Sequence, residues 1–244
     1  MATSRRDLLI IGAAVAVVIG IRQVWLAEPQ EFDFRPLKSP EGFRLLKSGP
    51  LSGGDGVLLG IDLPDQATQA LKEDLRQNLR QTLFGQGTQS AVLPTAVFSD
   101  YNCPYCRQIS AHMQKVSAQD PEISVAWHDL AFLGPSSTRA ALAAYAAQIQ
   151  DLHLAAHDVL MRQLLRPGPA ALRKLAGEIG ADPQQLAQDT RGPEAQLRLD
   201  KAHALASVMG VVGTPVTVVG KTIVYGSIGL PALDQLIVLE KSEI

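Results

Sequence analysis

Apolar and polar positions follow two kinds of pattern in the C-terminal part of the chain. Short apolar runs, one ending at Phe98 and one covering 123–127, predict two strands. Between them, apolar residues recur every three or four positions from Cys103 to about Ala118, which predicts a helix. Because a helical crossover joins the two strands, we expect them to lie parallel in one sheet.

A long helical region follows, and prolines and glycines divide it. Pro-Gly-Pro at 167–169 separates two helices, and the pair Asp182-Pro183 has the cap and first residue of another. Five helices are predicted, over 137–150, 152–165, 170–179, 183–191 and 193–209. Two apolar runs joined by Gly-Lys at 220–221 then predict an antiparallel hairpin, and a helix over 230–240 closes the chain.

Residues 1–27 are typical of a targeting segment rather than of a folded element. Arg5 and Arg6 precede an uncharged apolar run over 8–21, and this pair resembles a twin-arginine export signal. The run alone reaches about 21 Å, short of a hydrocarbon core of about 30 Å, but extension through Leu26 completes a span. We predict a periplasmic protein tethered to the inner membrane by this anchor, with twin-arginine-like export as the alternative.

Residues 28–85 are expected to form an N-terminal extension. Up to about Gly54 the composition is rich in proline, glycine and charge, which is typical of a spacer or a segment draped over the body. From Asp65 to Leu83, apolar residues recur at helical spacing and predict one amphipathic helix. This helix either packs on its own domain or serves as a partner-binding or oligomerising surface.

Composition and charge exclude one class of function. The chain has 244 residues, 46% of them hydrophobic, which suffices for one sizeable core with appendages. Its formal net charge is −2 and it contains no long basic tract, so nucleic-acid binding has no support.

The only two cysteines, Cys103 and Cys106, lie at the start of the predicted helix that follows the strand ending at Phe98. Pro104 suits the first helical position, and Cys106 lies one turn further along, close enough for a disulfide. Unpaired N–H groups at the helix N-terminus favour a thiolate at Cys103. The pattern therefore predicts a redox pair in which Cys103 is the nucleophile and Cys106 the resolving cysteine.

Two other interpretations of this pair are weaker. A zinc site would need two more ligands, but there is no second cysteine pair, and His112 and His128 are isolated. The second alternative is an inert pair. Elsewhere, His153 and His157 are four residues apart on one predicted helix face, without a clear third ligand. We expect no metal site and no cofactor.

Three separated motifs resemble the DsbA-like family of thiol–disulfide oxidoreductases. They are Phe-Ser-Asp-Tyr-Asn-Cys-Pro-Tyr-Cys at 98–106, Leu-Gly-Pro-Ser-Ser at 133–137 and Val-Gly-Thr-Pro at 212–215. The resemblance implies an α/β thioredoxin fold over 86–244 with an all-helical insertion at about 135–209. It does not account for residues 28–85.

The resemblance also implies a substrate-binding surface. Pro215 directly precedes a predicted strand, and the resemblance makes Thr214–Pro215 a cis peptide that faces Cys103. The backbone beside this proline would pair with the substrate segment, and Pro104 and Tyr105 would contribute to the same surface. Such main-chain pairing tolerates many sequences.

Two positions depart from the family pattern. Many relatives carry a buried acid six positions before the first cysteine, where this chain has Val97. Asp100 is nearer the motif and is a possible modulator of the cysteines. Strongly oxidising relatives have histidine between the cysteines; Tyr105 cannot supply the same cationic stabilisation, so the bond is expected to be less oxidising.

These patterns predict an enzyme that exchanges disulfides with exported, cysteine-containing proteins, most simply as an oxidase recharged by a membrane redox partner. Reductase or isomerase activity is the first alternative, because the sequence does not state the reduction potential. The second is a chaperone-like module that grips clients through its Ala- and Leu-rich helices, the Asp65 to Leu83 helix above all.

Overall fold

A computed structural model describes residues 31–47, 49–53, 66–85 and 93–244. The predicted export signal or membrane anchor at 1–27 lies outside these residues. From Asp33 to Ile244 the chain forms one compact unit. Among the described residues, no helix has the length and apolar character needed to cross a membrane.

The unit contains one mixed sheet. Its six strands, within the part of the chain described, are β1 (Phe34–Pro36), β2 (Arg44–Lys47), β3 (Leu93–Asp100), β4 (Ile123–Leu130), β5 (Val216–Val219) and β6 (Thr222–Tyr225). They lie in the order β1-β2-β6-β5-β3-β4. β3 and β4 are parallel, as predicted, and the β5–β6 hairpin is antiparallel, also as predicted.

Nine helices fall within the described residues. They are α1 (Gln66–Gln77), α2 (Leu79–Phe84), α3 (Pro104–Gln119), α4 (Pro135–Ile149), α5 (His153–Arg162), α6 (Pro169–Ile179), α7 (Pro183–Asp189), α8 (Pro193–Val208) and α9 (Leu230–Ser242). The five helices α4 to α8 form the all-helical insertion between β4 and β5. The predicted thioredoxin fold with this insertion is confirmed.

Strand β3 lies inside the sheet, between β5 and β4, and carries the cysteine motif at its end. Ala96, Val97 and Phe98 have no exposed surface, in keeping with a strand that is covered on both faces. The insertion packs just as closely. Helix α4 is buried on most of its circumference because its many alanines let α5 and α8 approach its backbone.

The N-terminal extension is more ordered than a spacer. β2 pairs in parallel with β6, and β1 pairs antiparallel with β2, so part of the segment predicted to be irregular extends the sheet. Phe43 and Leu46 are buried and supply the apolar contacts that hold these short strands in place.

The prediction of one amphipathic helix from Asp65 to Leu83 was wrong in one respect, because two helices meet at Asn78. The Asn78 side-chain nitrogen donates to the backbone oxygen of Asp74 at 3.1 Å and to an Asp74 carboxylate oxygen at 3.1 Å. Such local bonds compete with regular helix geometry. Helix α1 packs on α8 of its own chain, and Leu75 and Leu83 are buried.

Candidate active site

Cys103 begins the helix that follows the central strand. It is the N-cap of α3, with extended backbone angles, and its N–H donates to the backbone oxygen of Asp100 at 3.0 Å. Pro104 occupies the first helical position, as predicted. The backbone N–H of Cys106 donates to the Cys103 sulfur at 3.3 Å. The helix start therefore places an N–H donor directly on the first sulfur.

The surroundings of the two cysteines change their pKa values in opposite directions. The pKa of Cys103 is lowered to about 6, and hydrogen bonding from the Cys106 thiol has the largest effect. Hydrogen bonds from the Ser52 and Thr214 side chains lower this pKa further, whereas burial opposes the change. Burial, together with the neighbouring Cys103, raises the pKa of Cys106 well above its ordinary value. One sulfur is therefore a thiolate at neutral pH and the other a thiol.

Two of the four predicted substrate-binding residues lie beside the first sulfur. Thr214–Pro215 is a cis peptide, as the resemblance implied, and the Cys103 sulfur lies 3.5 Å from the Thr214 carbonyl oxygen. Pro104 and Tyr105 are exposed on the first turn of α3. The structure thus brings Cys103, Thr214 and Pro215 together and leaves Pro104 and Tyr105 open on the adjacent surface.

Asp100, the possible modulator, holds together the loops that carry the motif. One carboxylate oxygen accepts from the Asn102 N–H at 2.8 Å and from the Ser137 hydroxyl at 2.6 Å, and the other accepts from the N–H groups of Phe132 and Leu133 at 2.8 and 3.0 Å. Four donors satisfy a fully buried carboxylate. Asp100 is therefore equipped to fix the geometry of the 98–106 segment.

Ser52 also belongs to this site, although no pattern in the sequence pointed to it. Its backbone forms an antiparallel bridge with Thr214, with N–H to oxygen distances of 2.7 Å in one direction and 2.8 Å in the other. Its side chain also contributes to the lowered pKa of Cys103. A contact between residues 162 positions apart leaves no local pattern, so only the folded chain reveals it.

A second polar cluster joins the insertion to the sheet, and only its two histidines were singled out from the sequence. His153 and His157 do share one helix face, and both contact Asp129, at 2.6 and 3.1 Å. These three groups offer ligand atoms within 4.8 Å of one another, a donor set that zinc accepts. However, His157 also bonds the Ser110 and Tyr101 hydroxyls at 3.2 Å each, so hydrogen bonding accounts for the whole cluster.

Comparison with known proteins agrees with this geometry. The family model of the DSBA-like thioredoxin domain matches residues 96–238, more than half of the chain. The chain belongs to the DsbA-like family. As the motifs predicted, it is a thiol–disulfide oxidoreductase. No curated protein sequence matches it significantly.

Solved structures show the same fold. A thioredoxin-like oxidoreductase from Silicibacter pomeroyi is 32% identical, with a TM-score of 0.58 over 66% of this chain and 98% of that one. A periplasmic thioredoxin-like protein from Salmonella enterica is 25% identical, with a TM-score of 0.58 over 67% and 96% of the two chains. The catalytic domain of Proteus mirabilis ScsC is 24% identical, with a TM-score of 0.60 over 70% and 98%, and indicates the fold alone.

Proposed function

We propose that this DsbA-like protein oxidises thiols of exported proteins through Cys103 and Cys106. A substrate thiolate attacks the Cys103 sulfur of the oxidised pair, which breaks the Cys103–Cys106 bond and releases the Cys106 sulfur, and that sulfur takes up a proton. A second substrate thiolate then attacks the substrate sulfur of the mixed disulfide and releases Cys103 as a thiolate. The substrate loses two electrons and the enzyme pair gains them.

The opposite pKa changes of the two cysteines carry this proposal. A Cys103 pKa of about 6 makes Cys103 a good leaving group and stabilises the dithiol form of the enzyme, which favours oxidation of the substrate. The raised pKa of Cys106 keeps this sulfur protonated, so Cys103 alone is the attacking and attacked sulfur at neutral pH. Thr214, Pro215, Pro104 and Tyr105 supply the surface for the substrate segment.

Alkylation should distinguish the two cysteines in the reduced protein. We expect iodoacetamide to modify Cys103 with a rate that rises through about pH 6, whereas Cys106 reacts slowly until far higher pH. Peptide mapping of the modified protein over a pH series measures both rates. The urea-unfolded chain is the control, in which both thiols titrate near the ordinary value of 9.0. Equal reactivity in the folded protein would contradict the assignment.

The direction of exchange is decided by the reduction potential. We expect equilibration with glutathione to give a potential less negative than about −200 mV, the range of oxidising thioredoxin-fold proteins. A more negative value would contradict the oxidase assignment and favour a reductase, the first alternative. Tyr105 in place of a cationic residue argues against the most oxidising end of the range.

We infer that the exchange takes place in the periplasm. The signal pattern at 1–27 supports this location, as does the similarity to the periplasmic thioredoxin-like protein of Salmonella enterica. Its partners there would be cysteine-containing exported proteins and a membrane redox partner that restores the disulfide. Recovery of the full-length protein in the cytosolic fraction would contradict this inference.

The chaperone-like alternative draws little support from the fold. The helix that best suited client binding or oligomerisation is α1, and its apolar residue Leu75 is buried where α1 packs on its own chain. The buried apolar face of α1 therefore favours the enzyme over a holding module.

A further inference from the structure

Residues 50–53 lie as a short extended segment across the active site. Ser52 donates its N–H to the Thr214 carbonyl at 2.7 Å and accepts the Thr214 N–H at 2.8 Å, the pairing of two antiparallel strands. These are the two backbone groups, directly before Pro215, through which the substrate segment is proposed to bind. The chain's own segment thus occupies the position of an added strand.

Close glycine contacts show that this segment fits its site. A Cβ atom on Gly53 would lie 2.8 Å from the Val212 oxygen and 2.9 Å from the Gly213 Cα, and a Cβ atom on Gly213 would lie 3.1 Å from the Ser52 oxygen. At the other end, Ser227 donates its N–H to the Pro50 oxygen at 3.2 Å. The absence of side chains at these glycines is what lets the two backbones approach.

Successive side chains of the segment lie on opposite sides of its backbone, as in any strand. Leu51 is 37% exposed, whereas Ser52 is partly buried and its side chain reaches Cys103, where it helps to lower the pKa of that thiol. Cys103 itself has no exposed surface. The Ser52 side chain is therefore one of the groups that cover the Cys103 sulfur, and displacement of residues 50–53 would open a wider path for a substrate sulfur.

We propose that residues 50–53 are an internal occupant of the substrate-strand site, with Ser52 standing where the substrate cysteine must come. Serine has the shape of cysteine but cannot form a disulfide, so the segment holds the site without reacting. Exchange then requires an extended substrate segment to displace 50–53 from Thr214. This proposal rests on the proposed function, since it assumes that clients pair at Thr214.

A cysteine in place of Ser52 tests the alignment directly. In Ser52→Cys/Cys106→Ala, oxidised glutathione first forms a mixed disulfide with Cys103, releasing one reduced glutathione. The introduced thiolate at position 52 then attacks the Cys103 sulfur and releases the second glutathione, which leaves an internal disulfide. We expect this bond to form at least about tenfold faster than in the matched control Leu51→Cys/Cys106→Ala, because only position 52 faces the sulfur. Mass spectrometry of tryptic peptides measures both products, and equal rates in the two variants would overturn the proposal.

Release of the segment provides the second test and uses a matched pair of glycine substitutions. Gly53→Ala forces the segment away from Gly213, whereas Gly177→Ala adds a Cβ atom that meets nothing within 4 Å. At a pH well above the Cys103 pKa, we expect Gly53→Ala to speed alkylation of Cys103 by about fivefold or more, since a thiolate reacts only where it is accessible. Gly177→Ala should react like the unchanged protein.

The two levels of the proposal fail in different ways. If the unchanged protein exchanges disulfides with a cysteine-containing peptide and Gly53→Ala alters neither that rate nor alkylation, the internal occupant is refuted while the proposed function stands. If neither protein exchanges disulfides although Cys103 is readily alkylated in Gly53→Ala, the proposed function fails instead. Disulfide exchange that is faster in Gly53→Ala than in the unchanged protein supports both the internal occupant and the proposed function.

Discussion

Replacement of Cys103 by alanine is expected to lower the rate of disulfide exchange by about a thousandfold or more, to the level of the uncatalysed reaction. This sulfur forms the mixed disulfide with the substrate in either direction of exchange, and no other cysteine besides Cys106 exists in the chain to replace it. Cys106 is a poor substitute because burial raises its pKa. Oxidation of a dithiol peptide by oxidised glutathione, with the unchanged protein or the variant as catalyst and followed by fluorescence, gives both rates.

The matched control is Cys106→Ala, which keeps the nucleophile and removes the resolving thiol. The Cys103 thiolate of the reduced variant attacks a disulfide between two peptides, releases one peptide as a thiolate and keeps the other. We expect this mixed disulfide to accumulate, because the enzyme has no second thiol to expel the bound peptide. Both variants lose turnover, but only Cys106→Ala should retain the peptide on a denaturing gel without reductant. Retention by Cys103→Ala would reverse the two roles.

The elements that the sequence predicted best have local causes. Cys103 and Pro104 mark a helix start because an N-cap and a proline at the first position suit only that place. Asp182 marks the start of α7 in the same way, and its carboxylate accepts from the N–H groups of Gln184 and Gln185 at 2.9 and 2.7 Å. Such helix starts can be recognised from the sequence because the interacting residues lie within four positions of each other.

The elements that the sequence did not reveal depend on distant partners. β2 is a four-residue strand in a proline- and glycine-rich region, and it becomes regular only because β6 offers an open edge. Ser52 enters the active site through a bridge to Thr214, far away in the chain. Asp129 lies beyond the predicted end of its strand, at Trp127, and its histidine partners come from the insertion.

Asp129 is the centre of a buried polar network that supports the insertion against the sheet. Its carboxylate has no exposed surface and pairs with His153 at 2.6 Å and with His157 at 3.1 Å. The backbone of Asp129 is hydrogen-bonded as well, because the Tyr145 hydroxyl donates to the Asp129 carbonyl at 3.0 Å. A carboxylate in this position is tolerated only while these donors surround it.

The pH dependence of stability follows from two opposite pKa changes. Burial acts to raise the pKa of Asp129, but the charges and hydrogen bonds of His153 and His157 outweigh burial and lower that pKa well below its ordinary value of 3.8. The stability that this provides is present above pH 3.8 and is lost as the pH falls through the pKa of the folded state. Burial acts to lower the pKa of His153, but the charge and hydrogen bond of Asp129 outweigh burial and raise that pKa above its ordinary value of 6.5. The stability that this provides is present below pH 6.5 and is lost as the pH rises through the pKa of the folded state. The pair therefore contributes most between these two ordinary values.

Replacement of Asp129 by alanine is expected to lower the free energy of unfolding by about 3 to 5 kcal/mol, because it leaves two buried histidines without their acceptor. Urea unfolding over a pH series measures this loss, and it should be largest in the window in which the pair is fully charged. His153→Gln is the matched variant: glutamine keeps a donor for Asp129 but cannot titrate. The decline of stability that we expect above pH 6.5 in the unchanged protein should therefore flatten in this variant. A loss below about 1 kcal/mol in Asp129→Ala would show that the network carries little of the stability. An unchanged decline above pH 6.5 in His153→Gln would instead place the titrating group elsewhere.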